Sequence, residues 1–284
     1  MASGGSTWSD RLGRYGVWRP AQLLTPKLAS EVEALGYGTL WVGGSPPADL
    51  QVVEDLLAAT SHLVIATGVV NMWMAPADEV ARSYHRIEAA YPGRFLLGVG
   101  VGHREVTKEY QSPYAKMVDY LDRLDAAGVP ADRRVLAALG PKALRLAASR
   151  TAGAHPYFVP AEHTRRAREI LGAGPLLAPE HKVLLEIDPD RARAVAREAA
   201  ARYLRLRNYS TNLQRLGYGD ADVTGGGSDR LIDALVGHGD VAAVTRAVEA
   251  HLEAGADHVC IQVLPVADDP VPTLRAIAGQ LGLS

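Results

Sequence analysis

Phe95-Leu96-Leu97-Gly98-Val99-Gly100-Val101-Gly102-His103-Arg104-Glu105 opens as an apolar run of strand length and breaks into alternating glycines. A short apolar run bounded by glycine fits a strand buried on both faces, as in a parallel sheet. Gly100 and Gly102 remove side chains at the strand end, so backbone there can lie flat against a ligand. His103 and Arg104 are the first polar groups beyond. Two readings stay open on this stretch alone: a cofactor platform with catalytic or anchoring groups on its rim, or a glycine-rich strand end that merely turns.

The same grammar runs through the chain in both directions. Upstream, Arg14-Tyr15-Gly16-Val17-Trp18 reads as a strand, and Thr25-Pro26 opens a helix with a capping hydroxyl and proline at its first position. Thr39 to Val42 is the next strand, ending in Gly43-Gly44-Ser45, and Leu63 to Val70 is the third, leading into Asn71-Met72-Trp73. Downstream, Val135 to Leu139 is the fifth strand, and Gly140-Pro141-Lys142 opens a helix. Gly153 to Tyr157 is a short sixth strand, His181 to Ile187 the seventh, and His258 to Leu264 the eighth. Asn208 to Ser228, with Gly225-Gly226-Gly227, reads as an insertion loop over a site.

Strand then helix, eight times with short links, is the pattern of an α/β (β/α)8 TIM barrel, here with an insertion before the last strand. A doubly wound sheet is the alternative. It calls for phosphate-binding glycines after the first strand, where this chain has Val17-Trp18. Residues 1–284 read as one domain, with residues 1–10 a loose end.

The composition sets limits. The chain has 284 residues, 48% of them hydrophobic, and a formal net charge of -2, which leaves no electrostatic footprint for nucleic acid or an anionic membrane. No apolar run reaches the roughly 20 residues of a bilayer span. Met1 to Ser9 lacks the apolar core of a secretory signal, so a cytoplasmic protein is expected. The single cysteine, Cys260, excludes an internal disulfide and a thiolate metal cluster.

In a barrel the site is built by the strands' C-terminal ends and the following loops. That gathers Trp18, Arg19, Gly43, Gly44, Ser45, Asn71, Trp73, Val101, Gly102, His103, Arg104, Gly140, Pro141, Lys142, His155, Tyr157 and Gln262. The set is glycine-rich and aromatic and holds almost no carboxylates. A metal-dependent hydrolase needs histidines and carboxylates converging on an ion, so no metal is expected. A Schiff-base enzyme needs a lysine inside a strand. Of five lysines only Lys182 falls near one, at its start. What remains is a large planar cofactor that carries the chemistry itself. Gly140-Pro141 leaves the N–H groups of Lys142, Ala143 and Leu144 at a helix end that attracts anions; taken alone the tripeptide is a plain helix start, and its place one strand after the glycines favours a phosphate site.

Ala66-Thr67-Gly68-Val69-Val70-Asn71, Gly93 through His103, and Leu136 through Lys142 together resemble the luciferase-like monooxygenase superfamily. More narrowly they resemble its branch of oxidoreductases that use the deazaflavin coenzyme F420. The resemblance implies a barrel with an insertion, a homodimer, and a flavin or deazaflavin at the strands' C-terminal ends. It implies a non-proline cis peptide at Gly68-Val69, cofactor contacts from Asn71, Val101 and Gly102, and a cradle of Leu139, Gly140, Lys142 and Ala143. The second strand ends in Gly43-Gly44-Ser45, and Gly102 is followed by His103. The acid/base pair of the family's sugar-phosphate dehydrogenases is therefore not carried over.

The expected function is hydride transfer between F420 and a small organic substrate. His103 is the candidate catalytic imidazole, either moving a proton or only binding the cofactor, and Arg104 either reaches for a cofactor anion or pairs with Glu105 at the surface. Trp18, Ser45, Trp73, His155 and Tyr157 are candidates for the substrate pocket. The alternatives are an FMN-dependent monooxygenase and a barrel of the same fold that only binds a ligand.

Overall fold

The computed structural model describes residues 7–102 and 112–283. His103 and Arg104 lie outside the described residues. The strands are β1 (Tyr15–Pro20), β2 (Thr39–Gly43), β3 (Val64–Thr67), β4 (Val70–Asn71), β5 (Phe95–Gly100), β6 (Arg134–Leu136), β7 (Gly153–Ala154), β8 (Leu176–Leu177), β9 (Glu180–Leu184), β10 (Val236–His238) and β11 (Val259–Val263). All pairings are parallel, in the order β10-β9-β11-β1-β2-β3-β5-β6-β7-β8, with β4 also on β5. Only Ala178-Pro179 separates β8 from β9, so the strands ring a common interior as a TIM barrel.

Period-two alternation sorts the side chains. Trp18, Trp41, Ala66, Leu96, Val135 and Cys260 form the inner cluster. Their neighbours Val17, Leu40, Ile65, Leu97, Leu136 and Ile261 face outward into the larger cluster shared with the helices. The helix Pro26–Ala34 starts as its sequence dictates: Thr25 Oγ1 accepts from Leu28 N at 3.1 Å, with Pro26 in the first turn.

Four expectations need correction. The third strand is not continuous: it is broken at Gly68-Val69, whose peptide is cis. The seventh begins at Glu180, and Ile187 is 79% exposed because the chain has already left the sheet. Residues 208–228 are not a bare loop, since they contain the helices Arg207–Arg215 and Asp220–Val223. β10, which extends the edge of β9, was not foreseen, because Val236-Gly237-His238 is too short to leave a period.

Five histidines, His155, His163, His181, His251 and His258, are buried. Burial depresses all of them, His155 and His258 to about 4 and His181 to about 3. The folded state keeps these imidazoles neutral, while the unfolded chain takes up protons below roughly pH 6.5. Stability is therefore full above that pH and falls as the pH drops toward 4. The urea midpoint is expected to be clearly lower at about pH 5 than at about pH 7.5. Equal midpoints would contradict this.

Candidate functional site

The glycines of the opening stretch make room first for the protein itself. A Cβ at Gly98 would lie 1.8 Å from the Thr67 carbonyl oxygen, and one at Gly100 would lie 2.7 Å from Val69 Cγ2 and 2.8 Å from Ala137 Cβ. At Gly102, where φ is +65°, a Cβ would lie 2.7 Å from Asn71 Nδ2. These positions therefore do not form the bare floor that the sequence suggests. Their missing side chains let the bulge at Gly68-Val69 and the Asn71 side chain fold in against β5. The surface offered at this side of the barrel mouth is the half-buried row Gly68, Val69, Asn71, Val101 and Gly102, with Ala137 beside it.

Neighbouring rims meet as expected. Ala137 N donates to Val99 O at 2.9 Å, which sets the end of β6 against the end of β5. The chain then runs through half-buried Leu139 and Gly140 into the helix Pro141–Arg150. Gly140 caps that helix with no side-chain bond and Pro141 brings no N–H. Leu144 N–H is satisfied by Gly140 O at 3.0 Å, so it does not join the free set. The N–H groups of Lys142 and Ala143 have no partner among the described residues. The Lys142 side chain is exposed, and Arg215 Nη1 would lie 3.4 Å from a Cβ on Gly140. Two unpaired amides, the positive end of a helix dipole and two cations thus lie together, an arrangement that attracts anions.

Against that row the mouth is walled by aromatics. Trp18 lies over Gly43, where a Cβ would be 2.0 Å from the indole ring, and its Nε1–H donates to Gly68 O at 3.0 Å. Tyr157 packs on Trp18 with centroids 5.0 Å apart. Trp73 is half-buried beneath the Lys116 ammonium, 5.2 Å from the ring centroid. Ser45, at φ +59°, faces a separate surface hollow of about 400 Å³ that it shares with Met74 and Glu79. His155 does not line the mouth. It is 1% exposed, stacks on Trp41 at 4.2 Å, and donates Nδ1–H to Ala178 O at 2.7 Å, which places it in the barrel core.

The sequence reading missed the most polar part of the interior. Glu180 and Lys182, each 1% exposed, form an ion pair with Nζ 2.9 Å from Oε1. The ammonium sits 4.0 Å from the Tyr157 ring centroid. Tyr157 Oη meets Gln262 Oε1 and Tyr203 Oη, both at 2.9 Å. Starting the strand at His181 put Lys182 at its edge. Starting it at Glu180 puts Glu180 and Lys182 on one inward face, and that alternation was the available signal.

An all-parallel barrel whose third strand is interrupted by a cis peptide, with a proline-started helix after β6, defines a class, and comparison specifies it. The model of the luciferase-like monooxygenase family matches residues 24–258, and the chain belongs to that family. The N-acetyl-S-alkylcysteine monooxygenase of Bacillus subtilis (strain 168) is 34% identical over 110 residues. That match spans 34% of this chain and 32% of the relative, about a third of its length.

Among solved structures, an F420-dependent secondary alcohol dehydrogenase in complex with an F420-acetone adduct superposes with a TM-score of 0.72 at 15% identity, over 94% of this chain and 97% of that one. The coenzyme F420-dependent tetrahydromethanopterin reductase from Methanopyrus kandleri gives 0.69 at 14%, over 95% and 99%. The FMN complex of the oxygenating constituent of 3,6-diketocamphane monooxygenase from Pseudomonas putida gives 0.65 at 15%, over 93% and 96%. At such identities the likeness establishes the fold.

Proposed function

We propose that this chain is a coenzyme F420-dependent oxidoreductase that transfers a hydride between the deazaflavin and a small organic substrate, as a cytoplasmic homodimer. The observation that carries this reading is the asymmetry of the barrel mouth. One side is an uncharged, half-buried row, Gly68, Val69, Asn71, Val101, Gly102 and Ala137, and continues into the unpaired amides of Lys142 and Ala143. The other side is an aromatic and polar wall.

A tricyclic ring with an anionic tail matches that pairing of a flat apolar face and an adjacent anion seat. Gly68, Val69, Asn71, Val101 and Gly102 would flank the ring, with His103 and Arg104 following on the same segment. Leu139, Gly140, Lys142 and Ala143 would hold the tail. A bound deazaflavin supplies the two-electron chemistry. The protein supplies orientation and a wall that keeps water from the reacting face.

An FMN-dependent monooxygenase is the second reading, favoured by the partial match to N-acetyl-S-alkylcysteine monooxygenase. Titration with F420 and with FMN separates the two, since the preferred cofactor binds more tightly.

Lys142→Glu reverses the one lysine charge at the anion seat. Its expected effect is about a tenfold loss of F420 affinity. Folding stability is expected to hold, because an acidic residue suits a helix N-terminus. Fluorescence titration and thermal melts of the variant read the two effects separately. Undiminished affinity would remove this helix from the cofactor site.

A further inference from the structure

Among the described residues, Glu180 and Lys182 form the one ion pair inside the barrel. Taking two charges out of water costs several kcal/mol per ion, and an apolar pair would fill the same space. The charges are nonetheless fully provided for. Glu180 Oε2 also accepts from Phe158 N at 3.1 Å. Lys182 Nζ bonds both Glu180 oxygens, at 2.9 and 3.1 Å, and turns toward the rings of Tyr157, Phe158 and Tyr203. A cation over a phenol ring favours negative charge on that phenol.

The hydroxyls above the cation form a directed row. Tyr157 Oη has one proton and gives it to Gln262 Oε1, so in its contact with Tyr203 the donor is Tyr203. Turning the Gln262 amide presents an N–H to Tyr157 and reverses the row. The Tyr203 proton is then free to point away from Tyr157. Tyr203 is half-buried in the last turn of the helix Pro189–Leu204. Contacts run without a break from Gly68 through Trp18 and Tyr157 to Tyr203.

We propose that Tyr203 is a catalytic proton donor to the oxygen of a ketone or aldehyde substrate, with Tyr157, Gln262 and Lys182 as the positioning residues that polarise it and Glu180 fixing the Lys182 ammonium in place. This rests on the deazaflavin reading above. The carbonyl carbon takes a hydride, with its electron pair, from the reduced coenzyme. The carbonyl π pair moves onto oxygen, and that oxygen takes the Tyr203 proton. The Tyr157 proton passes to Tyr203. The negative charge comes to rest on the Tyr157 oxygen, above the Lys182 ammonium and beside the Gln262 N–H. Water later restores the proton. The substrate is reduced by two electrons and the coenzyme oxidised by two. Burial holds the resting Tyr157 phenol far above its ordinary range, so the row begins fully protonated.

The test needs no substrate. 2,3,5-Trifluorotyrosine at position 203, a phenol that ionises near neutrality, reports its own titration by absorbance and 19F NMR. With Lys182 in place, that phenol is expected to ionise about one pH unit lower than in a K182M background, a tenfold difference in acidity. K182R should retain most of the difference. If K182M fails to fold with Glu180 unpaired, the double variant E180Q/K182M removes both charges and gives the same comparison. Loading with F420 should move the titration again. An ionisation indifferent to residue 182 would overturn the polarising row. One indifferent to F420 that demonstrably binds would overturn the catalytic place of Tyr203. Failure of F420 to bind is seen in its own titration and overturns the deazaflavin reading instead.

Discussion

Gly98→Ala is expected to lower the melting temperature by on the order of 10 °C, or to prevent folding. The added methyl would lie 1.8 Å from the Thr67 carbonyl oxygen and 3.2 Å from Val69 Cγ1. Neither neighbour has room to move. Thr67 Oγ1 donates to Gly98 O and accepts from Gly98 N, both at 2.8 Å, which locks β3 to β5 at this point. Relief would require separating the two strands. The cost is therefore more than about 3 kcal/mol, at or beyond the upper end of ordinary overpacking. Gly279→Ala is the control: it lies in the helix Val271–Leu281 with no atom within 4 Å of its added Cβ. It should stabilise by about 0.5–1 kcal/mol. Urea melts followed by circular dichroism decide the matter, and equal midpoints for the two variants would refute the packing described for β5.

Ala137→Phe is expected to leave the fold intact and reduce F420 affinity at least about 100-fold, a loss of roughly 2.7 kcal/mol. Ala137 is half-buried on the rim, two residues after inward-facing Val135, so its Cβ points to the same side. It adjoins Gly100, whose own position is closed by Val69. A benzyl group there would cover the uncharged row at the mouth, where the proposed cofactor ring would lie. The partly exposed position allows the ring to project without opening the core. Retained affinity would move the cofactor seat elsewhere on the barrel.

Much of this was legible before any coordinates. Apolar runs bounded by glycine gave the barrel strands, because a strand buried on both faces leaves that pattern. Thr25-Pro26 and Gly140-Pro141 marked helix starts through local chemistry alone. The missed features depend on relations a linear pattern does not carry. Gly100 and Gly102 looked like a floor for a ligand, yet the groups that fill their space, Val69 and Asn71, come from another strand. His155 reads from the sequence as a pocket candidate or, more readily, a core histidine, and its stacking on Trp41 of β2 agrees with the second. Lys182 was misplaced by a one-residue error at a strand start, enough to conceal an inward-facing charge. The helix Arg207–Arg215 was hidden by the glycines that follow it.

The most direct measurement is a fluorescence titration of the purified chain with F420, run beside FMN and repeated with Lys142→Glu and Ala137→Phe. The deazaflavin account predicts saturable F420 binding, tighter than FMN, weakened modestly by the first substitution and severely by the second. A chain that binds neither compound, or one whose F420 affinity ignores both substitutions, would contradict it.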